Sequence, residues 1–105
     1  MDLSYGAKPN WIGSFFVMPV CNQNVCCCLT GEVQVTERAK LFMTISGKLK
    51  GQCKGLRTLF LPTLKPNTYS TTLPIIGELK LSEDSSTLTA KSPLGWECNG
   101  RAVRQ

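Results

Sequence analysis

Hydrophobic and polar residues alternate along most of this chain, and the alternation is cleanest between Cys27 and Leu49. Cys27, Leu29, Gly31, Val33 and Val35 form one set, with Cys28, Thr30, Glu32, Gln34 and Thr36 between them. After Glu37 and Arg38 the pattern resumes, with Leu41, Met43, Ile45, Gly47 and Leu49 set against Lys40, Phe42, Thr44, Ser46, Lys48 and Lys50. Successive side chains on a strand point to opposite faces, so each run has one apolar and one largely solvated side. Two such runs joined by a short polar segment predict an antiparallel hairpin.

The same period runs through the rest of the chain. Residues 1–10 read as an extended lead-in, and residues 11–18 as a first strand with Trp11, Gly13, Phe15 and Val17 on one face. Pro19 ends that strand or marks a bulge, and residues 21–24 form a turn into the hairpin. Residues 56–61 are a short apolar run ended by Pro62. Residues 63–74 are expected to be irregular, or to hold a short edge strand at 69–73, because Pro66 and Pro74 oppose a helix there. Ile75, Gly77, Leu79 and Leu81 are then expected inward. A polar turn at 82–86 follows, with Leu88 and Ala90 inward on the return. After a turn at 92–95, a final strand over 96–104 places Trp96, Cys98, Gly100 and Ala102 on one face. No segment sustains a helical period. About seven or eight short strands separated by turns predict an all-β fold, a small antiparallel up-and-down β-barrel forming one domain over residues 1–105. Sequential hairpins favour the up-and-down order because neighbours in sequence tend to pair in space.

Composition narrows the chemistry. The chain has no histidine, which removes the commonest general base and metal ligand together. Its seven carboxylates fall mostly at turns or on outer faces, and Gly47, Gly51 and Gly55 lack the following helix of a phosphate loop. A non-enzymatic protein without a cofactor is expected. The six cysteines are Cys21, Cys26, Cys27, Cys28, Cys53 and Cys98. On one strand Cys26 and Cys28 share a face and Cys27 opposes them, so the three do not converge on one metal ion, and no metal site is expected. No apolar run is long enough to span a bilayer, and no secretion signal is visible at the start. Reduced thiols in the cytoplasm are therefore expected, with secretion as the alternative if a leader has been removed.

The ends of the chain resemble the calycins, the lipocalin-like small barrels. Trp11-Ile12-Gly13-Ser14-Phe15 is similar to their opening strand, where a tryptophan sits at the closed end of the barrel. The run from Leu79 to Thr89, with Arg101 or Arg104 on the last strand, is similar to their final hairpin and the arginine that packs over that tryptophan. The resemblance implies that Trp11 and one of these arginines form a structural pair rather than a binding site.

A barrel offers its interior, its mouth and its outer faces as functional surfaces. The leading expectation is a binding protein that holds a small apolar ligand in or at the mouth of the barrel. Its lining would come from Phe15, Val17, Leu29, Val33, Met43, Ile45, Leu79 and Leu88, with the 56–73 segment, including Phe60 and Leu61, as a lid. An alternative uses that same apolar segment as a surface for a protein partner, as an interaction or inhibitor module. A second alternative follows from the net charge of +5 and from a basic cluster at Lys48, Lys50, Lys54 and Arg57. There, Phe42 shares a face with Lys40, Lys48 and Lys50, as in barrels that stack single-stranded nucleic acid on exposed aromatics.

Overall fold

The computed structural model describes residues 8–105, so of the expected lead-in only residues 8–10 can be placed. Eight strands follow one another: β1 (Gly13–Val17), β2 (Cys27–Arg38), β3 (Phe42–Gly51), β4 (Thr58–Leu64), β5 (Ser70–Leu73), β6 (Gly77–Leu81), β7 (Thr87–Lys91) and β8 (Gly100–Arg104). They form one sheet in the order β4-β3-β2-β1-β8-β7-β6-β5. Every pairing is antiparallel. The chain therefore meanders, its first strand pairs with its last, and the sheet curls into a half-barrel with a seam between β4 and β5. The all-β, up-and-down architecture is the one its alternation predicts.

The β2–β3 hairpin runs from Cys27 opposite Gly51 to Arg38 opposite Phe42. Between the pairs Thr30–Lys48 and Gln34–Ser46, β2 advances four residues while β3 advances two, so β2 carries a bulge of two extra residues. Gly31 takes the positive φ of 69° that this bulge requires. Because the surplus is even, the faces are not exchanged, and Val33 and Val35 stay in the core beside Leu29.

The meander sorts the connections between two ends. Those after β2, β4 and β6 lie at one end with Trp11, and those after β1, β3, β5 and β7 lie at the other. The Trp11 end is closed. Trp11 is buried and its Nε1 donates to the carbonyl of Thr68, 3.0 Å away. Phe15, Met43, Ile45, Leu81 and Leu88 complete the packing above it. Arg104 continues the inward face of Ala102, and its guanidinium lies 4.6 Å from the centre of the Phe15 ring. It donates to the carbonyls of Ser85 and Ile12, both at 2.7 Å, and to that of Asn10. A Cβ at Gly13 would displace this guanidinium, and the φ of 147° there is one that L side chains rarely adopt. Of the two arginines, Arg104 ties the carbonyls on either side of Trp11, while Arg101 is exposed on the outer face.

Several local expectations are corrected. Residues 56–73 are not a lid. They supply edge strands β4 and β5, and their connection runs under the closed end, where Thr68 meets Trp11. Pro62 does not end β4, because an edge strand tolerates a residue without an N–H. Ile75 does not point inward but sits on the β5–β6 turn at φ 71°. Trp96–Cys98 is a single 3₁₀ turn, and β8 begins only at Gly100.

Candidate ligand cavity at the disulfide end

All six cysteines lie at the end opposite Trp11, and all six are paired. Cys21 bonds Cys28, Cys26 bonds Cys98, and Cys27 bonds Cys53. The expectation of reduced thiols is overturned, and Cys26 and Cys28, on the face opposite Cys27, are both buried. The physical reason is that adjacent residues diverge. Cys27 faces inward and meets the β3–β4 connection, Cys28 faces the β1–β2 connection, and Cys26, just before the strand, reaches the turn that precedes β8. Three consecutive residues thereby tie three separate connections, with Cα–Cα distances of 4.7 to 5.9 Å that suit disulfides.

These crosslinks frame a cavity of about 400 Å³ at the mouth of the half-barrel. Its wall is apolar, formed by Leu29, Leu49, Leu56, Leu59, Ile76 and Leu94 together with the disulfides, and Gln52, Lys54 and Ser92 supply its polar groups. Below it a smaller space of about 60 Å³ continues toward the core between Val17, Val33, Ile45, Leu79 and Leu88. Leu29, Ile76, Ala90 and Gly100 border both spaces. The recess has a simple origin. Ala90 and Gly100 are partners across β7 and β8, and a Cβ at Gly100 would meet only the Cβ of Ala90, at 3.8 Å. Small residues facing inward at the mouth leave the space that Trp11, Phe15 and Met43 fill at the closed end.

The expected ligand-lining residues separate accordingly. Val17, Leu29, Val33, Ile45, Leu79 and Leu88 border the interior space. Phe15 and Met43 are fully buried in the packing below it. Leu61 packs partly against the core, whereas Phe60 stands on the outer face of β4, 63% exposed. Leu49, Ile76 and Leu94 were not expected in the lining, and Leu56 and Leu59 were expected only as part of the 56–73 segment over the mouth. Alternation marks the inward positions but not the end of the barrel at which each stands, and the signal available was the small residues Ala90 and Gly100 beside the mouth.

In the basic cluster, Lys48, Lys50, Lys54 and Arg57 are all exposed, and Lys54 reaches the cavity rim. Phe42 lies at the opposite end of β3, beside Leu64, so it does not join Lys48 and Lys50 in one surface. Among the described residues the one ion pair, Lys65 with Glu37, is also at the closed end. No helix among the described residues is long and apolar enough to cross a membrane. No family model, curated protein or solved structure matches this chain, so its chemistry is read from the geometry of the mouth.

Proposed function

We propose that this is a non-enzymatic binding protein whose mouth cavity holds a small apolar ligand. The observation that carries the reading is the apolar cavity of about 400 Å³ above a closed, packed end. That volume falls in the range of small-molecule sites, which are mostly apolar with a few polar groups for orientation. Three disulfides hold its walls, so little ordering is left to be done on binding. Such crosslinks persist in oxidising surroundings, and we place the protein outside the cytoplasm on that ground. The calycin resemblance points the same way, although the Arg104 guanidinium lies over Phe15 and binds the carbonyls flanking Trp11 instead of packing over the indole.

The test is to fill the recess without disturbing the closed end. Gly100→Leu projects a side chain into space bordered by Leu29 and Ile76. It should abolish binding of a fluorescent fatty-acid probe that native protein takes up, with the melting temperature unchanged or raised. If native protein takes up no such probe, or if Gly100→Leu binds it equally well, the cavity reading fails.

A second reading, a protein-interaction module, is favoured by the outer face of the β3–β4 edge. There Phe60, Leu64 and Phe42 are exposed, and Phe42 and Leu64 are cross-strand partners. Phe60→Ser with Leu64→Ser would weaken such a partner without lowering the melting temperature.

A further inference from the structure

The mouth end also presents apolar side chains to water. Val20 and Val25 stand on the β1–β2 connection, Leu56 on β3–β4, Ile75 on β5–β6, and Leu94 and Trp96 on β7–β8. All are exposed, Leu94 and Trp96 each to 81%. At the closed end, Leu41 is the one large apolar residue so exposed among the described connections. Every connection at the mouth therefore carries at least one apolar tip.

Cations stand among these tips. Lys50, Lys54, Arg57, Lys91 and Arg101 are exposed at the mouth end, against Glu78 and Glu97. The closed end carries cations too, Lys8, Arg38, Lys40 and Lys65, beside Glu37, Glu83 and Asp84. Ile75 adds an observation about cost. A β-branched residue at φ 71° is strained, and glycine or asparagine would fold there more readily. An apolar side chain is nevertheless held at the tip of that turn, 66% exposed.

We propose that the mouth end docks on an anionic lipid surface, inserting Leu94, Trp96 and Ile75 among the headgroups while the lysines and arginines behind them meet lipid phosphates and carboxylates. Tryptophan suits the membrane interface, and apolar tips backed by cations are the pattern of proteins that lie on, rather than span, a bilayer. Val25, Leu56, Ile75 and Leu94 come from four connections to rim the mouth cavity, with Lys54 on the same rim and further cations around it, whereas the buried centre of a protein interface is depleted of charge. The inference rests on exposure, topology and charge, and does not require that the cavity be filled.

The two tryptophans make it directly measurable, since Trp11 is buried at the far end and Trp96 is exposed. The experiment mixes the oxidised chain with vesicles of phosphatidylcholine, alone or with phosphatidylserine. The protein should sediment with the phosphatidylserine vesicles, less so as salt is raised, and Trp96 emission should shift to the blue on binding. Leu94→Ser with Trp96→Ser should lower partitioning at least about tenfold with an unchanged melting temperature, because neither side chain is buried in the free protein. Ile75→Asn should weaken binding while leaving the melting temperature unchanged or higher. The proposal is overturned by failure to sediment with either vesicle, by sedimentation without an emission shift, or by full binding of the Leu94→Ser, Trp96→Ser variant. Capture of a protein partner through Leu94 and Trp96 in the absence of vesicle binding overturns it equally.

Discussion

Arg104 concentrates several interactions in one side chain. Its guanidinium satisfies carbonyls from the lead-in, the β6–β7 turn and the residue before β1, and it stacks on Phe15. Arg104→Ala leaves these acceptors without their donor and should cost about 3 kcal/mol in urea denaturation. Arg104→Lys should recover less than half, because a compact ammonium does not reproduce a planar fork of donors. Asp84 organises the neighbouring turn. Hydroxyl donors from Ser82 and Ser86, each at 2.7 Å, and the Ser86 N–H at 3.0 Å hold its carboxyl at a pKa of about 2, below its ordinary 3.8. A carboxylate with a lowered folded pKa stabilises above its unfolded value and loses that contribution as pH falls through the folded one. Acid denaturation of native protein and Asp84→Asn should therefore show a stability gap that is full above about pH 4 and closes toward about pH 2. A gap that persists unchanged to lower pH would show that the ionised carboxylate is not what holds this turn.

At the scale of elements, the disulfides differ in what they close. Cys26–Cys98 spans 72 residues, Cys27–Cys53 spans 26 and Cys21–Cys28 spans 7. Chain-entropy arguments give contributions of about 4.4, 3.5 and 2.4 kcal/mol in that order. Removing each pair by Cys→Ala should lower the urea midpoint in the same order, and a larger loss for Cys21–Cys28 than for Cys26–Cys98 would contradict it. This part of the structure was the least legible from sequence, since connectivity depends on which connections share an end of the sheet. The β2–β3 and β6–β7 hairpins were legible because both faces alternate and their turns are polar. The last strand was not. Trp96 and Cys98 keep the inward parity of Gly100 and Ala102, and alternation alone does not distinguish a strand from the 3₁₀ turn that precedes it. The candidate site was legible in its depth, from Val17 to Leu88, but not at its rim. Residues such as Leu56 and Leu94 stand on connections, where the period of two carries no information.

The whole molecule is built asymmetrically, and its stability follows that division. One end is held by apolar packing around Trp11 and by Arg104. The other has a recess where packing would be, and covalent ties in place of buried side chains. A domain of this size has a net stability of about 5–15 kcal/mol, and three crosslinks of roughly 2–4 kcal/mol each are comparable to that total even when their overlapping loops make them less than additive. Complete reduction should therefore unfold the chain at about 37 °C. Trp11 emission would shift to the red as it enters water, and reoxidation would restore it. Placement outside the cytoplasm depends on this outcome. If the fully reduced chain kept Trp11 buried and its cooperative melting transition, the closed end would be sufficient to fold the protein. The disulfides would then serve only to shape the mouth.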